Sequence, residues 1–327
     1  MDRYDHYVAV DWAQNNMAIA CMSRGSDKIK TVDVKSDLGE LKIFLSKLKG
    51  KKFLTFEETT TSQWLYVELK DYAEETLVCD PSRNRLLSEG PKTDKIDAEK
   101  LVTLLKAGLL KPVYHSGEKF FDLRKFLSGY GDMVKSGVRM KNQRDAILRG
   151  NGVAGPEEIG PSSYDRFVLD GLDRGITCYE EDKRRYEKEF KKICKENELI
   201  GRLITVPGIG EIGAVKIAGI VVDPRRFKDK SAWLSYCGLV KHDKISGGRS
   251  YGKKKTRYCR AIKSVFKTAA ISVLKDNSNN AFKRYYDHLI GEKGYPEHDA
   301  RHTIARRIAV ITLGVFKENK KFEDRWL

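Results

Sequence analysis

Paired cysteines are missing from this chain. Cys21, Cys79, Cys178, Cys194, Cys237 and Cys259 are scattered, with no Cys-x-x-Cys among them. That pattern excludes a zinc ribbon and a disulfide framework and reads as reduced structural thiols in a cytoplasmic protein. Long apolar runs are missing as well: none approaches the roughly 20 residues of a spanning helix. No basic-then-apolar leader opens the chain. Neither a membrane protein nor an exported one is expected. Acid is in short supply relative to base, with 46 Asp and Glu against 62 Lys and Arg and a formal charge of +16. An excess of that size favours a polyanionic partner, because cations that neutralise phosphates release condensed counterions. What is present is a chain of 327 residues, 40% hydrophobic, enough for two domains or one elaborated one.

Residues 1–115 read as an α/β domain. His6 to Trp12, Met17 to Met22 and Ile29 to Val34 are short strand-like runs broken by Gln14-Asn15-Asn16 and Gly25-Ser26-Asp27, a meander signal. A helix follows at Leu38 to Leu48, with Leu41, Phe44, Leu45 and Leu48 on one face. Strand Phe53 to Phe56, helix Ser62 to Tyr72, strand Leu77 to Cys79 and helix Asp94 to Ala107 then alternate as crossover units do. Three hairpin strands followed by such units is the order of an RNase H-like domain. Residues 116–202 change to helical spacing, first Phe120, Leu123, Leu127, Tyr130, Val134 and Val138, then a charged helix from about Leu172 to Leu199. Its narrow seam of Ile176, Tyr179, Tyr186, Phe190 and Ile193 suits either a coiled coil between chains or a helical hairpin packed on its own domain. Residues 203–327 are again mostly helical and strongly basic.

Four acids stand out in the first domain. Asp11 closes Tyr7-Val8-Ala9-Val10, Glu58 follows Phe53 to Phe56, and Asp94 and Asp97 share a first helical turn. Carboxylates at neighbouring strand ends, with two on one helix face, are the donor set of hard cations such as Mg²⁺ or Mn²⁺. The blander account is capping and the helix dipole for Asp94 and Asp97, and a strand end for Asp11. In the last domain, Val206-Pro207-Gly208-Ile209-Gly210 ahead of an apolar helix is like a helix-hairpin-helix turn, in which Gly208 and Gly210 would let backbone N–H groups approach a phosphate. An ordinary tight turn fits the same residues. Cations crowd beyond it, among them Lys244, Arg249, Lys253, Lys254, Lys255 and Arg257, and Lys92 precedes the acidic helix. Within that crowd Ser246-Gly247-Gly248 reads as an exposed turn whose serine is a candidate nucleophile, with His242 as a conceivable base.

Taken in order, Asp11, Glu58 before Trp64, Asp80-Pro81, Lys92-Thr93-Asp94-Lys95-Ile96-Asp97-Ala98, Val206-Pro207-Gly208-Ile209-Gly210 and Gly238-Leu239-Val240 ahead of Ser246-Gly247-Gly248 resemble the DEDD transposases of the insertion-sequence 110 family. The resemblance spans nearly the whole chain. It implies a site-specific DNA recombinase with a RuvC-like, RNase H-like first domain holding Mg²⁺ or Mn²⁺ through Asp11, Glu58, Asp94 and Asp97. It also implies a central helical coiled-coil segment and a basic transposase domain in which Ser246 forms a phosphoserine link to DNA. Further implied are donor and target DNA as partners, a bridge RNA as guide, and a dimer or tetramer that joins the acidic site of one subunit to the serine of another. Glu57 and Glu58 are adjacent, and only one of them can face the site; the spacing to Trp64 selects Glu58. Thr61 stands where the family commonly has glycine, and Lys241 where it commonly has proline. A RuvC-like junction nuclease using water, and a non-enzymatic nucleic-acid scaffold, are the competing readings of the same residues.

Overall fold

The computed structural model describes residues 3–83, 93–117, 123–240, 242–254, 257–275 and 280–323, with the side chains of His242 and Lys254 excepted. Lys92, Lys241 and Lys255 lie outside the described residues, as does Phe120, where the first central helix is expected to begin.

The chain divides into two compact units, residues 1–117 and 118–327. In the first, β1 (His6–Trp12), β2 (Asn16–Ser23) and β3 (Ile29–Lys35) form the expected meander, and α1 (Leu38–Lys47) begins where Asp37 caps the Glu40 N–H at 2.9 Å. Then come β4 (Lys52–Glu57), α2 (Ser62–Leu69), β5 (Glu75–Cys79), α3 (Asp94–Lys106) and the two-residue β6 (Pro112–Val113). The sheet order is β3-β2-β1-β4-β5-β6, with β1, β4 and β5 parallel and the other pairings antiparallel. Strand alternation divides the core in two. Val8, Val10, Leu54 and Phe56 pack with Leu41 and Leu45 of α1 and Leu65 and Leu69 of α2. Tyr7, Ala9, Ala18 and Ala20 pack with Ala98, Leu101 and Val102 of α3. Both faces are covered, and each fully buried large apolar side chain contributes about 1.5–3 kcal/mol.

In the second unit, α4 (Leu123–Gly150) and α5 (Tyr164–Glu196) lie antiparallel. Phe126 meets Phe190, Tyr130 meets Tyr186, and Arg144 pairs with Asp173 at 2.6 Å. Thus the narrow apolar seam packs within one chain, as a hairpin. Helix α5 starts eight residues before the expected Leu172, because Ser163 caps the Asp165 N–H and draws Tyr164 and Phe167 into the helix as exposed residues. The central segment is not a separate body. Leu127, Tyr130, Phe190 and Cys194 share one core with α6 (Glu198–Leu203), α7 (Glu211–Val221), α8 (Lys230–Tyr236), α9 (Arg260–Lys275), α10 (Ala281–Gly291) and α11 (Glu297–Glu318). At its centre Trp233 is fully buried and donates its Nε1–H to the Ala309 carbonyl at 2.7 Å, which satisfies its one polar atom. A two-stranded ribbon, β7 (His242–Ser246) and β8 (Arg249–Lys254), interrupts the helices between α8 and α9. Among the described residues no helix is long and apolar enough to cross a membrane.

Candidate active site

Asp11 stands one residue from the end of β1, on the face shared by Tyr7 and Ala9, against which α3 packs. Helix α3 begins there because Thr93 accepts the Ile96 N–H, which places Asp94 and Asp97 in the first turn while Ala98 and Leu101 go into the core. The three carboxylates are close enough to act on one another. Burial, and after it the charges of Asp94 and Asp97, push the Asp11 carboxyl up to about 6. The helix N-terminus favours the two α3 acids, and among the described residues no cation is found to offset the charge of Asp11. This repulsion is what a divalent cation would relieve, and the all-oxygen donor set suits a hard one. Among the described residues no three His, Cys, Asp or Glu side chains converge closely enough to hold an ion.

The two adjacent acids of β4 separate in the structure. Leu54 and Phe56 face α1 and α2, so alternation turns Phe53, Thr55 and Glu57 to the α3 face, where Phe53 joins the Tyr7–Ala9 core. The parallel register runs to Val10 opposite Phe56, and one step further sets Glu57 beside Asp11. Glu58 goes elsewhere. Its carboxylate accepts from Ser62 Oγ at 3.0 Å and pairs with Nε2 of His115, a buried side chain. His115 Nδ1 in turn meets Gln63 Oε1 at 2.9 Å, and Gln63 donates its amide to the Ser116 carbonyl at 3.0 Å. Strand alternation thus sets Glu57, rather than the expected Glu58, on the sheet face of Asp11. Because Phe53-Leu54-Thr55-Phe56 is apolar on both faces, the sequence shows no alternation from which to choose; only the identity of the packing partners does. His115 had no signal at all, being a lone histidine outside any motif.

Ser246 ends β7, paired with Arg249 across the turn Gly247-Gly248. Both glycines have positive φ, +55° and +75°, the backbone of the tight hairpin turn that side chains resist. Lys244, Ile245, Ser246, Arg249, Tyr251 and Lys253 are all exposed, so the serine hydroxyl is open and flanked by cations. Arg257, just beyond, is exposed too. Lys254 continues β8, and Lys92 and Lys255 fall outside the described residues. At the glycine-rich turn, Gly208 has φ +84°, and a Cβ there would lie 2.4 Å from the Ala269 carbonyl oxygen of α9. Close packing of two backbones is reason enough for that glycine. Gly210 differs: it caps α7, is exposed, and has no atom within 4 Å of where a Cβ would point.

Two family models match this chain, a transposase model over residues 8–151, which spans the acidic site, and the transposase IS116/IS110/IS902 family over residues 201–287, which spans the glycine-rich turn and the Ser246 ribbon. The chain is also 22% identical over 190 residues to the transposase for insertion sequence element IS1111A of Coxiella burnetii. That match covers 53% of this chain and 52% of the relative, about half the length of each. With both models in the expected order, and each falling on one of the two candidate half-sites, the chain belongs to the IS110 family of DEDD transposases.

Proposed function

We propose that this protein is a DNA transposase that cuts and rejoins strands for a mobile element, through a metal-holding acidic site in the first unit and a serine in the second. The observation that carries the reading is the placement of Asp11, at the end of β1, against the first turn of α3 with Asp94 and Asp97, where burial and then the charges of those two acids push the Asp11 carboxyl up. The sheet order supports an RNase H-like, RuvC-like reading of the first unit, in which Asp11, Glu57, Asp94 and Asp97 would hold Mg²⁺ or Mn²⁺. Bound there, the ion supplies a Lewis acid for a phosphate oxygen. Asp11, Asp94 and Asp97 would hold that ion only in their ionised form, so activity would need Asp11 to give up its proton.

Ser246 Oγ attacks the phosphorus. One serine-to-phosphorus bond forms and one ester P–O bond breaks, the departing strand leaves as a hydroxyl after taking up a proton, and the Oγ proton passes to base or solvent. Arg249, paired across the turn, with Lys244 and Lys253, steadies the added charge on the phosphate. A phosphoserine link conserves the ester for rejoining, whereas attack by water would only cut. The remaining features follow from the family: donor and target DNA in the cytoplasm, a bridge RNA as guide, backbone contacts at Gly208 and Gly210 in the manner of a helix-hairpin-helix turn, and a dimer or tetramer joining acids and serine from different subunits.

The test is a cleavage reaction in Mg²⁺ quenched in denaturant, with any co-purified RNA sequenced and supplied. Wild type should leave protein covalently attached to one DNA end, and Ser246→Ala should lose that adduct while keeping its thermal stability. Protein-free cut ends from both proteins would replace the serine mechanism with the water-using junction nuclease. Binding without cleavage, unaffected by either Asp11→Ala or Ser246→Ala, would leave a scaffold.

A further inference from the structure

Between α9 and α11 lies a cavity of about 460 Å³, lined by Lys263, Lys267, Ala270 and Ile271 on one side and by His298, Arg301, His302 and Ala305 on the other. The structure assigns this cavity as a binding site for one nucleotide unit of a single nucleic-acid strand, lined by none of the residues of the proposed active site. Helical spacing builds it: Lys263 and Lys267 are one turn apart on α9, and His298, Arg301, His302 and Ala305 recur at the interval of a single α11 face. The floor is apolar and tight, since Ala270 and Ala305 are buried, while Ile271 lies 46% exposed at the rim. Two small residues and an exposed isoleucine make a surface for a sugar or base.

The rim is cationic, and among the described residues no carboxylate lines it. Arg301 shares its charge with Glu297 at 3.2 Å, and His298 Nδ1 lies 3.1 Å from Asp299. Lys263 and Lys267 differ: neither pairs with a carboxylate among the described residues, and Lys263 Nζ instead sits 4.3 Å from the centre of the Tyr258 ring. Two lysines left without counter-ions beside an apolar floor match a ligand that is apolar in the middle and anionic on its edge, and the volume falls in the usual range of small-ligand sites. An acidic peptide would offer carboxylates but no flat apolar body for the alanine floor. A duplex would keep its bases stacked and out of reach, so the fitting occupant is a single strand.

The assay is fluorescence anisotropy with a labelled ten-nucleotide RNA and the DNA of the same sequence, using the full chain over a salt series. The double variant Lys263→Glu/Lys267→Glu should bind about tenfold more weakly than wild type, and its log affinity should fall less steeply with log salt, by about two in slope. Lys267→Ala, on an exposed helix face where folding is not at stake, should lose about threefold in affinity and about one in slope. Lys191→Glu/Lys195→Glu, an equal charge change on α5, should leave both quantities within about twofold of wild type. Loss with RNA alone, or with DNA alone, identifies the strand. Unchanged binding of both probes by the pocket variants, or an equal loss in the α5 control, overturns the assignment.

Discussion

The two candidate half-sites are built in opposite ways. Asp11 follows four consecutive buried residues, Tyr7 to Val10, and faces a helix whose first turn is capped and whose next residues are in the core. Ser246 belongs to a ribbon in which every described side chain from Asp243 to Lys253 is exposed, so it is held by a strand ladder and a Gly-Gly turn alone. A core fixes the positions of like charges that would otherwise move apart, which is what a metal site demands. A ribbon with no core of its own is positioned by whatever it meets. On the proposed reading the acids are prearranged by folding, and the serine would be arranged by the DNA and partner surface it meets.

The sharpest way to break this contrast lies within the first half-site. Glu57→Gln removes a carboxylate proposed to hold the metal, and should slow Mg²⁺-dependent cleavage about a thousandfold, the equivalent of several kcal/mol of charge stabilisation. Glu58→Gln leaves that donor set whole but weakens the anchor on buried His115, and should cost only about tenfold while lowering stability by about 1–3 kcal/mol. Single-turnover rates over a Mg²⁺ titration, with melting curves alongside, separate the two. If Glu58→Gln shows the larger rate loss and a raised Mg²⁺ requirement, the strand-face assignment is wrong.

A smaller effect follows from the strain among the acids. Asp11 holds its proton more tightly folded than unfolded, so its contribution to stability is intact below the ordinary carboxyl value of 3.8 and is lost as pH rises through about 6. At pH 7.5 without metal, the wild type carries that penalty, which solvent screening at a half-exposed position reduces to about 1 kcal/mol. Asp11→Asn should then be more stable than wild type at pH 7.5, equal to it near pH 4, and inactive. Thermal melts at the two pH values in chelator are the measurement. A variant less stable at pH 7.5 would mean that Asp11 is structurally bonded rather than repelled.

Legibility in the sequence follows the same division. The meander, the crossover units and the acidic helix start were readable because each combines a periodic pattern with a punctuating residue, as Asp37 and Thr93 show. Asp11, Asp94 and Asp97 were readable for that reason. The choice between Glu57 and Glu58 was not, since a strand buried on both faces has no alternation to count. The fate of the α4–α5 seam was open because an apolar stripe does not say whether its partner is in the same chain; Phe126, Tyr130 and Leu127 supplied the partner. Gly208 read equally as a phosphate turn or a packing contact, and the Ala269 carbonyl behind it is a tertiary fact that no local pattern encodes. The lysine pocket was hidden for a similar reason, its two faces being about 30 residues apart in sequence.

The smallest effect tests the other half of the contrast. Gly247 has φ +55° with no atom within 4 Å of a built Cβ, so the constraint there is backbone conformation and not space. Asparagine tolerates that conformation, and Asn-Gly is a favoured pair for such a turn. Gly247→Asn should therefore change neither the melting temperature nor the yield of covalent product by more than about twofold. Gly247→Val meets the left-handed penalty of roughly 1–2 kcal/mol for a side chain branched at Cβ. Because no described side chain of the ribbon belongs to the core of the second unit, that cost should appear as local fraying, reducing the covalent product several-fold while the global melt stays in place. A melt that falls by several degrees in Gly247→Val would show the ribbon coupled to the core, and the serine would then be as firmly prearranged as the acids.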